Sequence, residues 1–312
     1  PRMFASRESG FPWEKKYSTI VEGTINQIDF PDSLNGWSAG MEGILLKTSD
    51  GGETWSNENL FAINFTSISA PTTNDILIAG DNGEFVKSTN GGQTWQVQQI
   101  FPNSSSIKIK FFSKYYGYSV APYDIWFRKT TDGGNSWIDL MMNGYFNDFC
   151  FIDSLVGWAM QANSIGNGPL LKTTDGGESW IDTIEIGNIN AFYFHDISNG
   201  WIVSDYSMYR TTDGGENWEF LSDIFDLTVL QFVFESSSKG YMLAVDYNYF
   251  DLYTIYQTLD GGVNWDQQLS GTNNWLWSVF FVDSIRGWAV GENGTILYTV
   301  NGGLSSVDDD LI

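Results

Sequence analysis

The octapeptide Thr48-Ser49-Asp50-Gly51-Gly52-Glu53-Thr54-Trp55 constrains this chain more than any other feature, because it keeps returning. Copies occupy 88–95, 130–137, 173–180, 211–218 and 258–265, and a seventh starts at Thr299-Val300-Asn301-Gly302-Gly303 without its Trp. The turn acid or amide is Asp50, Asn90, Asp132, Asp175, Asp213, Asp260 and Asn301 in turn. The closing rings are Trp55, Trp95, Trp137, Trp180, Trp218 and Trp265, about 40 residues apart. A period of that length means one supersecondary unit, repeated, that cannot bury its apolar faces alone.

A looser element precedes each copy. Ile25-Asn26-Gln27-Ile28-Asp29-Phe30-Pro31-Asp32 runs through Asn35-Gly36-Trp37 to Ala39-Gly40, and the frame recurs at 146–158, 189–201 and 276–288. The pattern reads as an alternating apolar strand, a turn, a Gly-Trp strand, a short loop and a third strand such as Ile44-Leu45-Leu46-Lys47-Thr48. The Asp-Gly-Gly hairpin supplies the positive φ its turn demands and leads into a fourth strand starting at the Trp. Its Asp is expected to accept hydrogen bonds from its own turn, and its Trp to wedge between sheets. The expected fold is all-β: a seven-bladed β-propeller of four-stranded antiparallel blades, one domain over 1–303.

The seventh repeat lacks a fourth strand. At the other end, Phe11-Pro12-Trp13-Glu14-Lys15-Lys16-Tyr17 resembles the segments just beyond each hairpin, such as Trp218-Glu219-Phe220. Residues 11–18 are therefore expected to close the last blade, with Trp13 as the closing residue, so that no edge stays open at the joint. Residues 304–312 read as an acidic linker stub.

The 312 residues carry 15 basic and 38 acidic side chains, a net charge of -23. That field repels phosphate backbones and anionic lipid, so neither nucleic acid nor direct membrane insertion is expected, and no apolar run is long enough for a spanning helix. Cys150, the single cysteine, sits in an apolar run and reads as an inert buried thiol. His195, the single histidine, takes the slot of Pro31 and reads as a turn residue. With neither a second His nor a second Cys, zinc and Ser-His-Asp chemistry lack their groups, and no metal or other cofactor is expected.

The segment Gly287-Trp288-Ala289-Val290-Gly291-Glu292-Asn293-Gly294-Thr295-Ile296-Leu297-Tyr298-Thr299, ending in Asn-Gly-Gly, resembles the photosystem II stability/assembly factor-like family of Asp-box (BNR-repeat) propellers. The resemblance covers about residues 11–303. In photosynthetic members it implies binding of a membrane-protein assembly intermediate through an arginine-rich patch. Here Arg2, Arg7, Arg128, Arg210 and Arg286 are scattered, which fits a non-photosynthetic, secreted or cell-surface member, with the periplasm as the alternative. Other Asp-box propellers are sialidases, which need three converging arginines for a carboxylate, or two-propeller xyloglucanases. This chain has length for one propeller and is read as non-enzymatic.

Function is then sought where the repeats differ. The loops between second and third strands share a face with the blade joints, opposite the Asp-box hairpins. Two are long, at 161–169 and 246–253, and the second carries Tyr247, Tyr249 and Phe250 beside Trp275 of the next joint; Tyr123 faces the same way. Exposed aromatics are enriched where partners bind. The expectation is a scaffold that binds a protein through these residues, with a glycan ligand or glycosidase-like propeller, or self-assembly into an extracellular structure, as alternatives.

Overall fold

The computed structural model describes residues 13–15, 21–58, 62–100, 107–121, 126–141, 144–162, 168–183, 186, 189–247, 252–268 and 270–303. They form seven four-stranded antiparallel sheets, each in sequence order from the axis outward except for one strand of the last. Blade one is Ile25–Asp29, Gly36–Gly40, Leu45–Thr48 and Ser56–Asn57. Blade six is Leu227–Phe234, Gly240–Asp246, Leu252–Thr258 and Asp266–Gln268. Blade seven takes Leu276–Phe281, Gly287–Gly291 and Ile296–Thr299 from one end of the chain and Glu14–Lys15 from the other. The fourth strands start one residue after the Asp-box Trp, not at it, as at Ser56 and Gln96.

Closure depends on that last sheet. Glu14 pairs with Tyr298 and Lys15 with Leu297, antiparallel. Trp13 is fully buried among Tyr241, Leu243, Leu276 and Leu297, where it meets Phe281 edge-on with ring centroids 5.7 Å apart. Other Asp-box rings make the same edge contact: Trp55 with Phe30 at 5.9 Å and Trp218 with Phe194 at 6.0 Å. Trp13 thus occupies the wedge position that the seventh Asp-box leaves empty.

The deepest aromatic burial lies elsewhere than the repeat pattern suggests. The Asp-box rings other than Trp55 are only partly buried, whereas Trp37, Trp158, Trp201 and Trp288 of the second strands are sealed. Where the next blade supplies a Phe at the end of its first strand, the second-strand ring stacks on it. Trp158 lies 3.5 Å from Phe194, Trp201 3.6 Å from Phe234, and Tyr241 3.7 Å from Phe281. Trp288 on Phe30, at 3.8 Å, carries the stack across the chain termini. Face-to-face stacks of this kind add close contact to the area buried, so these pairs contribute to the adhesion between blades.

The same Phe explains a glycine. It packs over the first residue of the second strand in its own blade, where a Cβ at Gly117 would lie 2.5 Å from the Phe111 ring and one at Gly157 2.5 Å from Phe151. Blade two has Ala70 in the Phe slot, and there the glycine slot is Ile76. One side of that contact is small in each case.

Neighbouring first strands exchange side-chain hydrogen bonds around the axis. Gln27 Oε1 accepts from Ile68 N (2.8 Å), Asp29 Oδ2 from Ala70 N (2.8 Å), and Gln231 Oε1 from Val279 N (2.9 Å). Inner-strand backbone groups that no sheet partner reaches are satisfied in this way.

Candidate partner-binding face

On the Asp-box face the turn acids are occupied by their own hairpins. Asp50 Oδ1 accepts from Thr48 Oγ1 (2.8 Å) and Thr54 N (2.9 Å), while Gly52 N donates to Thr48 Oγ1 (2.9 Å). Asp132, Asp175, Asp213 and Asp260 repeat this pattern, and Asn90 Oδ1 accepts from Thr94 N at 2.9 Å. Asn301 Oδ1 accepts from Thr299 Oγ1 at 2.8 Å and from Gly303 N at 3.1 Å. Hydrogen bonds from the Ser179 side chain and backbone hold Asp175 down at about 2, and those from Asn217 do the same for Asp213. In Asp50, desolvation pushes the other way and the bonds from Thr54 and Thr48 override it. These carboxylates are held ionised by their own turns, and their role is to fix the hairpin.

Basic side chains on this side are likewise committed. Lys47 Nζ donates to Gly91 O in the next blade's hairpin (2.8 Å) and lies 5.0 Å from the Trp37 ring centre. Lys172 Nζ does the same with Gly214 O (2.9 Å) and Trp158. Arg210 lies over Trp201, Arg128 pairs with Asp139, and Arg286 with Asp283. The arginines of the described residues therefore bind their own fold in three separate places.

His195 is a turn residue: its Nδ1 meets Phe234 O at 3.0 Å. Cys150 reaches Phe194 O at 3.8 Å, and desolvation pushes its thiol up to about 11, far from a nucleophile's range. Glu235, one register further round, is largely buried, and both carboxylate oxygens lack a hydrogen bond; its ion pair with Lys239 is long at 3.5 Å. Desolvation raises it to about 6. Among the described residues, no three His, Cys, Asp or Glu come together as a metal site would require.

The opposite face carries a different inventory. Tyr247 and Trp275 are both there and exposed; Tyr123, Tyr249 and Phe250 lie outside the described residues. Each of the first two belongs to a wider exposed group, and the two groups together form an arc over blades five to seven. Tyr247 N donates to Asp226 O (3.0 Å) and its hydroxyl meets Thr228 Oγ1 (3.1 Å), tying it to the joint that carries Phe225. Ile224 N of that joint donates to Tyr206 O (2.7 Å) in blade five. On the other side Tyr253 of blade six stacks on Trp275 at 5.1 Å, and Trp277 meets both rings edge-on at 5.4 and 6.0 Å. Tyr206, Phe225, Tyr247, Trp275 and Trp277 are exposed by 57, 66, 55, 45 and 36%.

Backbone irregularity brings two of these residues out. The first strand of blade seven slips register between Leu276 and Ser278, so Trp277 is a β-bulge residue beside the axis. The equivalent bulges in blades one and two hold Asn26 and Thr66, whose side chains donate to Phe65 O (2.6 Å) and Ile107 O (2.7 Å) of the following blade. Blade six places Leu230 there, also exposed. The channel mouth is thus polar and self-bonded on one side and apolar on the side under the arc. Tyr206 sits at φ 70° in the two-residue turn between Ser204 and Ser207, a left-handed conformation that a bulky residue adopts only at a cost.

In the sequence, the long loop and the joint pointed to Tyr247 and Trp275 and took in Tyr253 at the loop's end, but not to Trp277, Tyr206 or Phe225. The signal for Trp277 was present: aligned with Asn26 and Thr66, it puts the largest type of side chain in a slot that blades one and two fill with small polar ones.

A family model described as "Photosynthesis system II assembly factor YCF48" matches residues 5–97. No curated protein matches the chain in sequence. Among solved structures, the fold is similar to "YCF48 bound to D1 peptide" at 21% identity and TM-score 0.77, over 93% of this chain and 97% of that one. It is similar to YCF48 from Cyanidioschyzon merolae at 20% identity and TM-score 0.73, over 93% and 98%. A GH74 xyloglucanase from Xanthomonas campestris gives 10% identity and TM-score 0.74, over 95% of this chain but 55% of that one. These findings support a likeness to YCF48-type BNR-repeat propellers; identities this low speak to the fold.

Proposed function

We propose that this chain is a non-enzymatic scaffold that binds a protein partner through the loop face over blades five to seven. The observation that carries the reading is the pair of exposed aromatic groups on the loop face of blades five to seven, Tyr206 with Phe225 and Tyr247 and then Trp275 with Trp277, set against Asp-box turn acids and lysines bonded to their own fold. Exposed aromatics joined over several loops are what a partner surface requires, and a fold needs no such cluster for its own stability. The similar YCF48 structure with a bound D1 peptide supports a protein ligand on this architecture. The strong acidity fits a secreted or cell-surface setting, and the scattered arginines fit a role outside photosynthesis.

A capture experiment with the folded protein as bait tests the reading. A partner recovered reproducibly and lost on replacing Tyr247, Trp275 and Trp277 with Ser, at unchanged melting temperature, supports it. A partner that ignores those changes places the site elsewhere.

Carbohydrate binding is the competing reading, favoured by the Tyr253–Trp275–Trp277 platform and by the shared fold with a xyloglucanase. A glycan array and a reducing-sugar assay separate the two.

A further inference from the structure

We infer that the partner segment seated on this arc is basic, carrying lysine or arginine between apolar side chains, and that its cations lie over the exposed rings; this rests on the protein-binding reading above. The molecule already covers several of its own aromatics with cations. On the Asp-box side, Trp37, Trp158, Trp201 and Tyr241 are each covered by a cation of the same blade, Lys47, Lys172, Arg210 and Lys239, at 5.0–5.6 Å. On the loop side, no lysine or arginine of the described residues lies over Tyr247, Trp275 or Trp277.

Among the described residues, the charge around the arc has one sign. Asp205 adjoins Tyr206 in its turn, Asp226 lies in the joint bonded to Tyr247, and Glu292 N donates to Trp275 O at 2.8 Å. The described basic residues of blades five to seven are Arg210, Lys239, Arg286 and Lys15. The first three lie at the hairpin and turn end, and Lys15 pairs on the outer strand. An anionic rim round an apolar, aromatic floor attracts a cationic segment in two ways. The rim steers the approach over a Debye length, and the ring faces hold an ammonium or guanidinium that has shed part of its water. Leu230 and Trp277 at the channel mouth offer contact to the apolar side chains between the cations. An acidic segment or a nucleic acid would meet the same rim as repulsion.

The test uses the whole folded chain and three labelled peptides with one shared apolar pattern, differing only in whether the intervening positions are lysine, glutamate or serine. Fluorescence anisotropy at low and high salt, with tryptophan emission alongside, reads the binding. The lysine peptide is expected to bind at least about tenfold tighter than the serine peptide at low salt, to lose most of that margin at high salt, and to quench tryptophan emission. The D205N/E292Q variant should lose the salt-sensitive part alone, and Trp277→Ala should lose binding to all peptides while keeping its melting temperature. Equal binding of the lysine and glutamate peptides, or preference for glutamate, overturns the inference and leaves the protein-binding reading standing. No peptide binding, with a captured partner still dependent on Trp275 and Trp277, also overturns the basic-segment inference alone. Oligosaccharide binding in place of peptide and partner overturns both.

Discussion

Trp13 meets Phe281 edge-on at 5.7 Å, in the place that the other six blades give to the Trp at the end of their own hairpin motif. The first described residue of the chain therefore completes a repeat whose other parts lie nearly three hundred residues later. Trp13→Ala should cost about 3–5 kcal/mol, the range for emptying a buried aromatic site, because the ring is sealed and the joint has no substitute strand. Denaturant unfolding measures it. The same change at Trp95, which is only partly buried, should cost less, and equal losses would mean that closure is not special.

Blade two offers a test of the glycine rule. Ala70→Phe alone should destabilise by about 1–3 kcal/mol, since the ring would strike Ile76. Adding Ile76→Gly should recover much of that loss, by opening the space and giving Trp37 the stacking partner that Trp288 finds in Phe30. A double-mutant cycle reads the coupling. Additive losses would refute the exchange of bulk between the two positions.

Glu235 makes the fold sensitive to pH in an unusual direction. Its carboxyl is raised from the ordinary 4.5 to about 6, chiefly by desolvation, so the folded chain holds that proton more tightly than the unfolded one. Its contribution is fully present below about 4.5 and is lost as pH rises through 6. Glu235→Gln should therefore stabilise the protein at pH 7–8 by about 1–2 kcal/mol and flatten the stability profile between pH 4.5 and 6. Thermal melts across that window decide it, and a destabilised variant at pH 8 would show that the Lys239 ion pair matters more.

The Asp-box acids act in the opposite sense. Asp175 and Asp213 are lowered to about 2 by bonds from their own turns, so their stabilisation is present above the ordinary carboxylate range and lost as pH falls through 2. Asp213→Ala should lower the melting temperature at pH 7 by several degrees and shrink its fall on acidification. Asp213→Asn should keep more of the hairpin, as Asn90 does in blade two, while removing the acid response.

Local rules made most of this fold readable. The hairpin motif specifies its own φ values and its own hydrogen bonds, so Asp50 and its counterparts, the blade count and the missing seventh ring are all legible from residues close in sequence. The stacking of Trp158 on Phe194 could not be read in that way, because the partners lie in different repeats and their register depends on how sheets face each other. The deeper burial of the Gly-Trp rings was hidden for the same reason: the Asp-box rings are the more regular in sequence and do pack at the blade joints, but the Gly-Trp rings are the ones sealed there. On the candidate face, loop length and joint composition pointed to Tyr247 and Trp275. Trp277 was hidden by its place inside a strand, since alternation alone does not reveal a bulge.

The pairing of Glu14–Lys15 with Ile296–Thr299 also sets a timetable. A ribosome adds about 5–20 residues each second, so the N-terminal strand emerges some tens of seconds before the strand it must join exists. Until then six blades can pack on one another, but the inner and outer edges at the joint stay open to any passing chain. A nascent or truncated chain is an unclosed ring with two adhesive ends, and two such chains can complete each other. Whatever chaperone or compartment receives this protein must guard it during that interval, and a break in the last blade should be worse for its solubility than a break of the same length inside any single loop.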